Sequence, residues 1–191
     1  MVTAITPAGA GDNGSVTTAD VSVRPALPSD LPAIARIQLA AWADLLGSDV
    51  ADGLDPIELE RQWAAALSDR DPRRRVLVAL AGPRVVGFAA ASPTQRSASD
   101  DDGWTGELVA LEVEPTSRRA GHGSRLLAAA VDLARDAGAH HLGAWTMTHD
   151  PDRRAFLEGA GFAEAGLRRT LELPGPREVE EILLTAVLSP A

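Results

Sequence analysis

The chain has 191 residues, with 18 basic and 27 acidic side chains and a formal net charge of -9. At 45% apolar and 24% charged residues it has the composition of a globular domain, and its acidity argues against a nucleic-acid partner, which needs a basic field. No window approaches the ~20 apolar residues of a membrane span, and Met1-Val2-Thr3 lacks the basic start of a secretory signal, so a cytoplasmic protein with no membrane partner is expected.

Residues 1–20 are mostly Thr, Ala, Gly, Asp and Pro without apolar periodicity, a flexible tail expected ahead of one domain over 21–188. Val21 to Arg24 alternate as a short strand. Pro28-Ser29-Asp30-Leu31-Pro32 then opens a helix, with Ser29 or Asp30 as its cap and Leu31, Ile34, Ile37, Leu39 and Trp42 on its apolar face. A second helix is predicted over 56–67. Strands over 76–81 and 85–91 flank Gly82-Pro83-Arg84, a hairpin pattern. After a polar loop (92–103), a strand over 107–113 stops at Pro115. A helix over 126–137 ends at Gly138. A strand (142–147), a helix (152–159) and two strands (167–173 and 180–188) complete the chain. The order β-α-α-β-β-β-α-β-α-β-β predicts an α/β fold, a mixed sheet with helices on its faces.

Chemistry concentrates where the strand over 107–113 gives way to a helix. Val113-Glu114-Pro115-Thr116-Ser117-Arg118-Arg119-Ala120-Gly121-His122-Gly123-Ser124-Arg125 is a proline-broken, Arg/Gly-rich turn that feeds the helix directly. The first amides of a helix have no internal partners and carry partial positive charge. Glycines keep Cβ atoms away from those amides, and Arg118, Arg119 and Arg125 add full charges, which together suit a pyrophosphate.

The longer pattern Val-x-Pro-x-x-Arg-x-x-Gly-x-Gly-x-x-Leu resembles the acetyl-CoA signature of the GNAT superfamily of N-acetyltransferases. Val23-Arg24-Pro25-Ala26 with Asp30, and Phe156-Leu157-Glu158-Gly159-Ala160-Gly161-Phe162, are similar to that family's first and late elements. The resemblance covers about 21–188 and implies a single GNAT-type domain. It implies acetyl-CoA as co-substrate, with no metal, and direct transfer of acetyl to a primary amine of a small molecule or peptide. It also implies a pyrophosphate site on the amides of Arg119, Ala120, Gly121, His122, Gly123 and Ser124, beside Arg118. Leu111 and Val113 would pair with the pantetheine arm, and the Val113 N–H would polarise the thioester carbonyl. His122 is expected to lie over the cofactor loop. A homodimer is compatible with the sequence.

An amine acceptor is protonated at neutral pH, with about one in a few thousand molecules free base at a pKa near 10.4, so a base is useful. Glu107 is the candidate: it lies six residues before Val113, an even spacing expected to put both on one strand face, whereas Glu112 is expected on the other. In several family branches a Glu at this spacing is the general base. Two departures stand out. Leu157 occupies the place of a family Tyr that protonates the leaving thiolate, leaving His149 as one substitute. Asp150 falls where the family often has an Asn that hydrogen-bonds pantetheine. The chain contains no Cys and no Tyr. The missing Tyr motivates an alternative from another class, a catalytically degenerate acyl-CoA-binding module. Trp42 and Trp63 are candidates to line an acceptor pocket, while Trp145 is expected in the core.

Overall fold

The computed structural model describes residues 21–94, 104–173 and 178–188. The tail over 1–20 and most of the polar loop after residue 94 lie outside the described residues.

The elements are β1 (Val21–Pro25), α1 (Leu31–Leu46), α2 (Ser48–Asp52), α3 (Pro56–Ser68), β2 (Arg75–Ala81) and β3 (Arg84–Pro93), then β4 (Trp104–Val113), α4 (His122–Asp136), β5 (Ala139–Met147), α5 (Pro151–Gly159), β6 (Ala163–Glu172) and β7 (Glu178–Val187). The strands form one sheet in the order β1-β2-β3-β4-β5-β7-β6. Every neighbouring pair is antiparallel except β4 and β5, whose parallel pairing requires a crossover, supplied by α4. The expected mixed sheet with flanking helices is present. The short helix α2 has no counterpart in the expected order, and α4 starts four residues earlier than the periodicity predicts.

Alternation along the strands divides the apolar side chains between two cores. On one face, Ile34 and Ile37 of α1 pack with Val78, Phe88, Ala90 and Ala110. Trp63 of α3 joins them edge-on to Phe88, with ring centroids 5.0 Å apart, and donates its indole N–H to Gln38 Oε1 at 2.6 Å. Trp63 is thereby committed to packing. On the other face, Leu126, Leu127 and Ala130 of α4 and Leu157 of α5 cover Leu77, Ala79, Ala89, Leu108, Leu111, Leu142 and Leu184. Each large aliphatic buried this way contributes about 1.5–3 kcal/mol.

The expected cap at α1 takes a different form. Asp30 makes no side-chain hydrogen bond into the helix after it. Its carboxylate accepts the Arg24 guanidinium in a fork, at 2.6 and 2.9 Å, and the Leu27 amide at 2.7 Å. Asp30 therefore ties β1 to the start of α1, and the Arg24 hydrogen bond holds its carboxyl below the usual range against the opposing effect of burial.

Two irregularities in β4 set the shape of the sheet beside α4. Ala90 pairs with Ala110 and Ala91 with Leu108, which leaves Val109 as an extra residue in a bulge. Pairing between β4 and β5 ends at Glu107↔Gly143, although β4 runs on to Val113 and β5 to Met147. Bulges increase local twist, and this one begins just past the last β4–β5 pair. The two parallel strands therefore part, leaving an edge of β4 without a strand partner inside the sheet.

Candidate active site

The parted strands open toward the N-terminus of α4. Gly121 adopts a left-handed conformation (φ 84°), and Arg119 before it also has positive φ (62°). The αL geometry at 121 turns the chain sharply into the helix, and a side chain there would be strained. An added Cβ on Gly123 would meet Val113 and Phe156 at 3.7 and 3.8 Å, ordinary contact distances, so the fold itself tolerates a small side chain at 123. The first amides of α4 are thus presented beside the end of β4. Ser124 also borders a groove between α4 and α5 of about 610 Å³, lined by Leu127, Ala128, Val131, Ala155 and Phe156.

Two arginines sit on the free edge of β4. The Arg118 Nε–H donates to the Val113 carbonyl at 3.4 Å, while its terminal nitrogen reaches Asp44 of α1 at 2.6 Å. Arg153 of α5 donates to the Leu111 carbonyl at 3.0 Å and to Glu112 Oε1 at 3.1 Å. Carbonyls two residues apart point the same way along a strand, here into the opening. The intervening Glu112 carbonyl turns toward β3, where an added Cβ on Gly87 would come within 2.9 Å of it.

His122 differs from expectation. Its side chain takes the inward register with Leu126 and is 4% exposed, so it lies beneath the helix start and not over the turn. Its Nδ1 has no hydrogen-bond partner, and burial, with Arg125 as a second cause, pushes its pKa down. Asp150 serves the fold, since its carboxylate caps α5 by accepting the Arg153 amide at 2.9 Å. Leu157 is fully buried in the α4–α5 core, and His149 is exposed at the turn after β5.

The bulge overturns the expected side-chain parity of β4. Leu108, Leu111 and Val113 pack on the α4 face, whereas Ala110 packs on the α1 face. Val109 absorbs the shift, so Glu107, next to Leu108, faces away from Val113 and shares its side of the sheet with Ala110 and Glu112. Glu107 is half-buried, and that burial raises its carboxyl pKa; Arg169 pulls it down and Glu181 pushes it further up.

Those two neighbours belong to a cluster that the sequence did not reveal. Glu181 of β7 is buried and accepts Arg169 Nε–H of β6 at 2.6 Å. The Arg169 guanidinium lies 4.3 Å above the Trp145 ring on β5, so Trp145 forms a cation–π contact in place of the expected core role. Only the register of three distant strands brings these residues together, and no local motif announces it.

The family model for the Acetyltransferase (GNAT) family matches residues 35–162. The chain belongs to this family. Among solved structures, the GNAT chain resembles ribosomal-protein-alanine N-acetyltransferase from Brucella melitensis at 26% identity, covering 87% of this chain and 99% of that one with a TM-score of 0.71. It also resembles an N-acetyltransferase from Staphylococcus aureus Mu50 at 18% identity, over 89% of this chain and 99% of that one, with a TM-score of 0.69. A third is yncA from Salmonella typhimurium, solved with its cofactor acetyl-CoA, at 19% identity over 90% of this chain and 95% of that one, with a TM-score of 0.64. No curated protein sequence matches the chain. The protein is an acetyltransferase of a family that uses acetyl-CoA. Among the described residues no cluster of His, Asp and Glu could hold a metal ion, and no helix is long and apolar enough to cross a membrane.

Proposed function

We propose that this GNAT enzyme transfers acetyl from acetyl-CoA to a primary amine of a small molecule or peptide, in the opening between β4 and β5. The observation that carries the reading is this opening: β4 loses its β5 partner after Glu107 and runs free to the αL glycine and bare helix start at 121–124. An extended pantetheine arm can add to the free edge of β4 as a strand would. The amides of Arg119 to Ser124, with Arg118, then suit the pyrophosphate, and the Val113 N–H the thioester carbonyl. A preorganised donor of that kind is worth roughly 3–4 kcal/mol in the transition state.

The acceptor amine enters from the α1 face. Glu107 takes its proton, directly or through a water, and its half-buried setting makes the carboxyl a stronger base than an exposed one. With Glu181 paired to Arg169, the cluster keeps one net negative charge on Glu107, which favours a cationic acceptor over an anionic one. The solved relative named for ribosomal-protein alanine makes an N-terminal peptide amine one class to test.

Acetyl-CoA turnover measured across polyamines, aminoglycosides, amino acids and N-terminal peptides tests the reading. Consumption of acetyl-CoA dependent on one of these amines supports it. Tight acyl-CoA binding with no turnover toward any amine favours the degenerate binding module, for which the buried Leu157 in place of a phenol is the motivating observation.

A further inference from the structure

An acetyl transfer that ends in a thiolate needs something to receive that charge, and Leu157, sealed in the core, offers no donor. One turn earlier on α5, Arg153 reaches the free edge of β4. Its side chain is only 19% exposed, and its guanidinium touches both the Leu111 carbonyl and the Glu112 carboxylate. Glu112 belongs to the α1 face and α5 to the other, so this contact crosses the sheet through the parted strands. The Arg153 Nε–H is buried with no hydrogen-bond partner. A largely covered guanidinium whose buried Nε–H is unspent is a costly arrangement unless something further is bound there.

We propose that Arg153 is the cation that stabilises the departing CoA thiolate. The inference rests on the acetyl-CoA reading above. In the transfer, the amine lone pair attacks the thioester carbonyl carbon and the carbon–sulfur bond breaks, its electron pair passing to sulfur. The proton lost from nitrogen goes to the Glu107 carboxylate and on to water. Counted from the free-base amine, the products are the acetyl amide, the CoA thiolate and one proton in solvent (a second proton is shed beforehand when the acceptor arrives as an ammonium), so no acid is required at sulfur if a fixed cation lies beside it. Pantetheine pairing with Leu111 frees the N–H that now donates to that carbonyl, and the salt bridge to Glu112 keeps the guanidinium in place.

The test is the ionisation of the thiol in the complex with CoA itself, which needs neither acceptor nor turnover. The chain has no Cys and no Tyr, so the ultraviolet absorbance of the thiolate can be titrated without interference from protein thiols or phenols. The thiol of bound CoA should ionise about one pH unit lower in the wild type than in Arg153→Met, a tenfold change in its dissociation constant, with Arg153→Lys in between. Because Arg153→Met leaves Glu112 unpaired, the double variant Arg153→Met/Glu112→Gln serves if the single one fails to fold. An equal thiol pKa in wild type and folded variant, with CoA bound to both, overturns the role of Arg153 alone. Failure of the wild type to bind CoA overturns the acetyl-CoA reading and this inference together.

Discussion

Arg118, in the turn before α4, donates to the Asp44 carboxylate of α1 at 2.6 Å, so the residue expected to meet a pyrophosphate is already held by a helix on the acceptor side. The two side chains are 44% and 49% exposed, and a pair that open contributes at most about 1 kcal/mol. A doubly charged pyrophosphate can outcompete it. Asp44→Ala should therefore tighten CoA binding up to about fivefold at low salt. Unchanged or weaker affinity in calorimetry would mean that the contact does not compete with the ligand.

Arg118→Ala acts in the opposite direction. Affinity for CoA should fall, and the remaining affinity should depend less on ionic strength, because an exposed charge pair is screened by salt. Parallel salt titrations of wild type and variant read both effects. Identical slopes would remove Arg118 from phosphate recognition.

Glu107→Gln separates chemistry from binding. CoA affinity should persist, while turnover at neutral pH falls roughly 10²–10⁴-fold, the usual contribution of a positioned base. In the wild type, burial raises the Glu107 pKa, so activity should decline with acidification at a pH above the ordinary carboxylate range. The defect of the variant should shrink at high pH, where more acceptor is already deprotonated. Wild-type turnover in Glu107→Gln at neutral pH would exclude it as the base.

The Asp30 tie is a stability matter. Its folded pKa is depressed, chiefly by Arg24, so its contribution is present above the unfolded carboxylate pKa and is lost as pH falls through the lower folded value. Asp30→Asn should cost about 1–3 kcal/mol near neutral pH by breaking the charged fork, and the difference from wild type should narrow in acid. Urea unfolding at several pH values checks this, and a constant difference would contradict it.

The turn at 118–124 was legible because every residue it needs is consecutive: a strand end, a proline, arginines and two glycines ahead of a helical run. The same glycines look like loop, so periodicity alone starts α4 late, yet His122 already occupies the first helical position. The facing of Glu107 escapes the sequence for a different reason. Six residues is an even count, but the bulge at Val109 removes one step of alternation, and nothing in Leu108-Val109-Ala110-Leu111 marks it. Likewise, Trp145, Arg169 and Glu181 meet only through strand register, and Arg153 finds Glu112 only because β4 and β5 part. Such long-range pairings leave no periodic trace in one sequence.

Every role proposed for the site depends on acetyl-CoA being held between the free edge of β4 and the first amides of α4. Calorimetric titration of acetyl-CoA into wild type and Gly123→Asp tests it most directly. Gly123 has space for a side chain in the folded protein, so the carboxylate blocks the amides and repels a pyrophosphate without requiring the strained backbone that a change at Gly121 would impose. Binding by the wild type and none by folded Gly123→Asp is the predicted result; equal affinity in both would contradict it.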